Sequence, residues 1–209
     1  IILFNLGGPN NSDAVRPFLF NLFNDPAIIN IPNPMRWLIA KLISYKRSPI
    51  AKEIYNEIGG KSPILELTQQ QAKALELGIN NDPENEFKVF IVMRYWHPMS
   101  MDVVPNVKKY NPDEILLLPL YPHFSSTTSG SSIKDWHKTA KKAGLKKLTK
   151  IICCYPTEIN LIKAHSELLQ KEIKKSNNNP RILFSAHGLP KKIINKGDPY
   201  QAHIEKTAL

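Results

Sequence analysis

The sequence predicts an α/β fold, a doubly wound domain built on a four-stranded parallel sheet in three layers, followed by the start of a second domain of the same kind. Three observations predict it. Four apolar runs, Ile1 to Leu6, Phe87 to Met93, Glu114 to Tyr121 and Leu148 to Tyr155, have the length and the branched or aromatic content of strands. Segments of helical periodicity separate them, the alternation that gives a parallel sheet covered and buried on both faces. Glycines stand where three of the helical segments end, Gly59-Gly60, Gly78 and Gly144.

The elements follow in order. Ser12 is positioned to cap a helix over 13–23, whose Val15, Phe18, Leu19, Leu22 and Phe23 share one face, with Pro17 in its first turns. The joint Ile31-Pro32-Asn33-Pro34 leads into a helix over 35–44, in which Met35, Trp37, Leu38 and Leu42 read as packing residues. Pro49 starts a further helix to Ile58 that Gly59-Gly60 ends, and Pro63 opens another to about Leu77, ended by Gly78. After the second strand, 99–110 reads as a short helix, and 129–143 as a clearer one closed by Gly144. Residues 159–175 carry Leu161, Ile162, His165, Leu168, Leu169 and Ile173 at helical spacing. The polar run Ser176 to Asn179 then precedes a fifth strand, Arg181 to Ala186.

That fifth strand has only one helical beginning after it, and one strand with one helix does not make a core of ordinary size. Residues 1–155 are therefore expected to form a first α/β domain, and 156–209 the connecting helix and first strand and helix of an incomplete second one.

Composition narrows the classes of function. The 209 residues are 42% hydrophobic, with no apolar run long enough to span a bilayer. The opening residues lack the basic start and cleavage site of a secretory signal, although a targeting segment removed from upstream stays open. Cys153 and Cys154 are adjacent in what reads as a buried strand, where neighbouring side chains point to opposite faces, so a disulfide between them would be strained. That usage fits a reducing compartment, and no second pair completes a zinc site. The net charge of +10, from 28 basic and 18 acidic residues, favours anionic partners in general. No recognition helix, finger pattern or exposed aromatic sheet accompanies it, so nucleic acid is not expected.

In an open parallel sheet, ligands bind beyond the carboxyl ends of the strands. Asn5-Leu6-Gly7-Gly8-Pro9 lies there, as do Arg94-Tyr95-Trp96-His97-Pro98, Tyr121-Pro122-His123-Phe124 with the hydroxyl-rich 125–132, and Ser185-Ala186-His187-Gly188-Leu189-Pro190. Gly7 and Gly8 permit close approach of a ligand without forming a dinucleotide or phosphate-loop fingerprint. The hydroxyl run either cradles an anion or simply caps a helix. Arg94 suits a paired contact with a carboxylate, and Tyr95, Trp96 and Tyr121 offer flat surfaces for a conjugated ring or for core packing. His97 and His123 bind either a ligand or a loop. His187 is the strongest single candidate, because a turn directly after a strand can aim its neutral imidazole at a proton or a metal.

Taken together in this order, LGGP at 6–9, YNEIGGKSP at 55–63, RYWHP at 94–98, YPHFSSTTSGSS from 121, ILFSAHGLP from 182 and KGDPY at 196–200 resemble ferrochelatases. The resemblance covers essentially all of the chain and about two thirds of a family member, as though the chain were cut before the final third. It implies a pair of chelatase-like domains holding a porphyrin, and a lyase that inserts Fe2+ into protoporphyrin IX to form protoheme with release of two protons, the last step of heme biosynthesis. It further implies that His187 accepts pyrrole protons or binds the iron, and that Leu6, Arg47, Tyr55, Ser62, Arg94, Tyr95 and Tyr121 contact the porphyrin.

Iron is then a substrate and no tightly bound cofactor is expected; an iron–sulfur cluster in a downstream region is left open. The resemblance places the protein in the cytoplasm, and the basic charge with the apolar stretch 37–43 suits peripheral contact with an anionic inner membrane. Gly188 stands where some members carry serine. The acidic, histidine-bearing segment of the final third, with a glutamate opposite the catalytic histidine, is not in these residues, so the 209-residue piece alone is expected to be inactive. Coproporphyrin III as substrate, a non-catalytic tetrapyrrole- or metal-binding protein of the same fold, and a nucleotide-sugar transferase on a related frame are the competing readings.

Overall fold

Four of the five apolar runs pair into one parallel sheet in the computed structural model, which describes residues 1–81, 84–176 and 180–209. The strands β1 (Ile2–Asn5), β2 (Phe90–Met93), β3 (Glu114–Pro119) and β4 (Leu148–Ile151) lie in the order β2-β1-β3-β4. In register, Ile2 faces Phe90 and Leu117, while Phe4 faces Val92 and Pro119. Alternation along the strands puts Ile2, Phe4, Val92, Ile115 and Leu117 on one face. There they meet Val103, Val104 and Val107 of α4 (Ser100–Tyr110) and Trp136 and Ala140 of α5 (Ser129–Lys142) in one buried cluster. Trp136 stands edge-on to Phe4, with ring centroids 6.2 Å apart. The opposite face carries Asn5, whose side-chain amide donates to Thr68 Oγ1 (3.0 Å) on α3 (Ile64–Ile79).

The chain reverses direction across the sheet between β1 and β3, because β1 leads to β2 on one side while β3 lies on the other. Such a switch point opens a crevice beyond the carboxyl ends of the strands, directly at Asn5 to Gly8.

Several expectations are corrected. The sheet is not uniformly buried, since β4 is an edge strand with three of its four residues exposed. Asn11, not Ser12, serves the start of α1 (Val15–Phe23), its Oδ1 accepting the Ala14 N–H at 2.9 Å. One helix, α2 (Met35–Glu57), replaces the two expected, with Pro49 inside it. Pro49 has no N–H for the Tyr45 carbonyl, but Tyr45 is exposed and water can take that acceptor, so the helix continues. Nor do Trp37, Leu38 and Leu42 form a packed face: they are 43, 63 and 53% exposed, because α2 buries its smallest residues, Ala40, Ser44 and Ser48, at a spacing of four.

The chain divides into two compact units: 1–120 with 126–152, and 121–125 with 153–209. The second contains α6 (Ile159–Lys175), α7 (Lys191–Ile194) and α8 (Tyr200–Ala208). Residues 181–186 form no strand, since a strand is held only by a neighbour's ladder and none is formed with them among the described residues. Of the polar run 176–179, residues 177–179 lie outside the described residues. Cys153 and Cys154 fall beyond the end of β4, where alternation no longer applies, and their sulfurs are 3.0 Å apart instead of on opposite faces. Burial, followed by the Cys154 neighbour, pushes the Cys153 thiol up to about 11.

Candidate functional site

Beyond β1 and β2 the backbone keeps two segments side by side: Arg94 N–H donates to Asn5 O (2.9 Å) and Tyr95 N–H to Leu6 O (3.0 Å). Gly7 is what allows this, since its φ is +81° and a β-carbon there would lie 3.1 Å from Trp96 N. The GGKSP segment joins on the other side, with Ser62 N–H donating to Pro9 O at 2.8 Å and Ser62 Oγ accepting the Ile64 N–H. Three of the sequence motifs, LGGP, RYWHP and GGKSP, are thus brought into contact. Leu6 and Ser62 are half-buried there.

Arg94 and Tyr95 anchor to a residue that sequence reasoning missed. Asp25, 5% exposed, accepts through Oδ2 from Arg94 Nη2 (2.8 Å), Tyr95 Oη (2.9 Å) and Ser131 Oγ, and through Oδ1 from Ala27 N–H (2.8 Å). Ser131 Oγ in turn accepts from Arg94 Nε at 2.7 Å. Arg94 Nη1 lies 3.7 Å from Asp135 Oδ1, and Asp135 Oδ2 accepts from Ser100 Oγ at 2.6 Å. The guanidinium also sits 5.0 Å over the Tyr95 ring. In this structure the Arg94 guanidinium contacts protein groups, one of them Ser131 of the hydroxyl-rich run that either cradles an anion or caps a helix. Burial, then the Asp25 charge, raises the Tyr95 hydroxyl far above its ordinary value and keeps it a donor. In sequence, Asn24-Asp25-Pro26 looks like an ordinary turn; the signal that could have found it is an arginine at a buried strand end, which requires a counter-charge.

The remaining candidates are placed as follows. Arg47 is exposed on α2, stacked 5.5 Å over the Phe23 ring. Tyr55 is half-buried near the end of the same helix, its hydroxyl held above its ordinary value by burial. Trp96 donates to Asn10 Oδ1 at 3.0 Å. His97 Nδ1 lies 2.6 Å from Asp102 Oδ2, which also accepts the Met99 N–H, so this histidine binds a helix start. Leu6, Arg47, Tyr55, Ser62, Arg94 and Tyr95 belong to the first unit, Tyr121 and His187 to the second. Tyr121 is half-buried, and His187 is exposed on 180–190, a stretch without helix or strand.

In the second unit, His123 Nε2 meets Thr207 Oγ1 at 2.8 Å. Because the Thr207 hydroxyl donates to Pro156 O (2.6 Å), the imidazole is the donor in this pair. His203 Nδ1 accepts the Phe124 N–H at 3.2 Å, and Ser125 Oγ donates to Asp198 Oδ2 at 3.0 Å, tying 121–125 to α8 and its approach. Burial, with His203 and His165 nearby, lowers the pKa of His123 below its ordinary value.

Among the described residues no group of three or more His, Cys, Asp or Glu side chains could hold a metal, and no helix is long and apolar enough to cross a membrane. A cavity of about 280 Å³ opens at the amino ends of the strands, lined by Phe87, Lys88, Tyr110, Glu114 and Lys150 among others. It is at the wrong end of the sheet for the convergent motifs, and the carboxyl-end geometry is the better guide to chemistry.

With this geometry in view, comparison with known proteins decides the family: the ferrochelatase family model matches residues 1–209. The chain belongs to the ferrochelatase family. It is 54% identical over 208 residues to the ferrochelatase of Pelagibacter ubique, covering 99% of this chain and 60% of the relative. It is 55% identical over 209 residues to that of Wolbachia sp. subsp. Drosophila simulans, covering 66% of the relative, and 51% identical over 211 residues to that of Caulobacter vibrioides, covering 60%. The chain thus spans 60 to 66% of the length of these ferrochelatases.

Proposed function

We propose that the whole protein inserts ferrous iron into protoporphyrin IX, forming protoheme and releasing two protons. The observation that carries this is the ferrochelatase match along all 209 residues, together with the contact of LGGP, RYWHP and GGKSP at the carboxyl ends of β1 and β2.

In this reading a rigid wall holds the macrocycle puckered, which exposes the inner nitrogen lone pairs and draws binding energy into the chemical step. Leu6, Tyr55 and Ser62 of the first unit contribute to that wall, with Arg94 and the buried Tyr95 braced behind it and Arg47 toward the rim, and Tyr121 is a further porphyrin contact. The imidazole of His187 takes the pyrrole protons through its free nitrogen lone pair, or ligates the incoming ion with it. Two N–H bonds break, two protons leave, and a dication enters a dianionic ring, so charge balances without a redox step. Iron is substrate, and no resident cofactor is required by this sequence of events.

The protein is proposed to work in the cytoplasm, in peripheral contact with an anionic membrane surface. Met35, Leu38, Leu42 and Tyr45 are exposed on α2 with Lys41 and Lys46, an apolar and basic mixture that suits lipid headgroups.

The test is anaerobic incubation of the full-length chain with ferrous iron and either protoporphyrin IX or coproporphyrin III, following metalloporphyrin by its absorbance. Turnover of protoporphyrin with little of coproporphyrin is expected. Preference for coproporphyrin would reverse the substrate assignment, and binding without turnover of either would make the protein a tetrapyrrole carrier.

A further inference from the structure

Arg94 and Tyr95 back the proposed wall: their amides hold Asn5 and Leu6, Tyr95 is 1% exposed, and both side chains are fixed by one buried carboxylate. Asp25 is buried and its four hydrogen bonds engage both of its oxygens: Arg94, Tyr95 and Ser131 on one and the Ala27 amide on the other. Arg94 is reached twice, directly through Nη2 and through Ser131 at Nε, and two attachments fix the plane of a guanidinium where one would leave it free to rotate. Its third nitrogen turns toward Asp135. With a carboxylate on either side, the trio carries a net charge of −1, and Arg94, 15% exposed, is a poor partner for a further anion.

We infer that Asp25 is a positioning residue for the iron-insertion reaction: acting with Ser131, it holds Arg94 and Tyr95 as one rigid backing for the wall at Asn5 and Leu6 and withdraws the arginine from substrate carboxylates. The inference rests on the reading of the protein as a ferrochelatase. A wall whose backing wobbles leaves fewer bound macrocycles in the reactive geometry, an effect on kcat rather than on binding.

The test uses the full-length chain with Asp25→Asn, Arg94→Met and the double variant, each checked for folded fraction by circular dichroism. Asp25→Asn is expected to lower kcat per folded molecule about tenfold with KM within about threefold of the parent. In the Arg94→Met background the same change is expected to do little more, since Asp25 acts through Arg94. Normal kcat per folded Asp25→Asn molecule, or losses that multiply in the double variant, would overturn the inference. If Asp25→Asn does not fold, the double variant decides, because it removes both charges of the buried Asp25–Arg94 pair together, and the carboxylate it leaves, Asp135, is 27% exposed to water. No turnover by the parent chain would instead remove the ferrochelatase reading, and this inference with it.

Discussion

Gly8 lies so close to Ser62 that a β-carbon on Gly8 would fall 2.5 Å from both Cβ and Oγ of Ser62. Because one of the clashing atoms is a β-carbon, which moves only with its backbone, rotation of the serine hydroxyl does not relieve the contact. Gly8→Ala is therefore expected to destabilise the protein by about 1–3 kcal/mol, the range for forcing extra atoms into a packed site. Urea unfolding of parent and variant measures it, and equal midpoints would mean that the two motifs are not truly pressed together.

Glu76 ties the last turns of α3 to the entry of β2. Its carboxylate accepts from Val89 N–H at 2.7 Å and from Lys88 Nζ at 2.9 Å, and these bonds, the backbone one foremost, hold it below its ordinary value of 4.5. A depressed carboxyl contributes stability that is complete above the unfolded value and is lost as pH falls through the folded one. The parent is expected to lose stability relative to Glu76→Gln from about pH 4.5 downward. Parallel stability curves for the two proteins between pH 6 and about pH 3 would contradict the tie.

The second unit is expected to loosen at a higher pH than the first. His123 has its pKa lowered, mainly by burial and then by His203 and His165, so the unfolded chain takes up a proton near 6.5 before the folded one does. Stability from the neutral ring is present above that value and declines as pH falls below it. Hydrogen exchange at the amides of 153–209 is expected to quicken as pH falls from about 7 to 5.5, after correction for the intrinsic rate, and His123→Gln to flatten the trend. An unchanged trend in the variant would assign the effect to other groups.

Much of the fold is legible in the sequence because its signals are local. The four strands stand where branched apolar runs stand, and α6 runs from Ile159 to Lys175 because its periodicity, without an internal proline or glycine, leaves no other choice. Failures occur where a distant partner decides. Pro49 reads as a helix start, yet it lies inside α2, on a stretch where Tyr45, whose carbonyl it leaves unbonded, is exposed. Residues 181–186 have the composition of a strand, and composition cannot supply a neighbour to pair with. In the candidate site, Gly7, Gly8 and Arg94 are legible as strand-end residues, whereas Asp25 is not, because nothing local distinguishes it from an ordinary turn aspartate.

The most direct test of the central claim compares the full-length chain with His187→Ala in ferrous iron insertion, both shown to be folded and to bind porphyrin. Loss of at least about a hundredfold in kcat with porphyrin binding retained is the expected result for a group that takes protons from the reacting ring. Near-parent kcat in His187→Ala would contradict the account, since the imidazole would then neither accept those protons nor hold the metal.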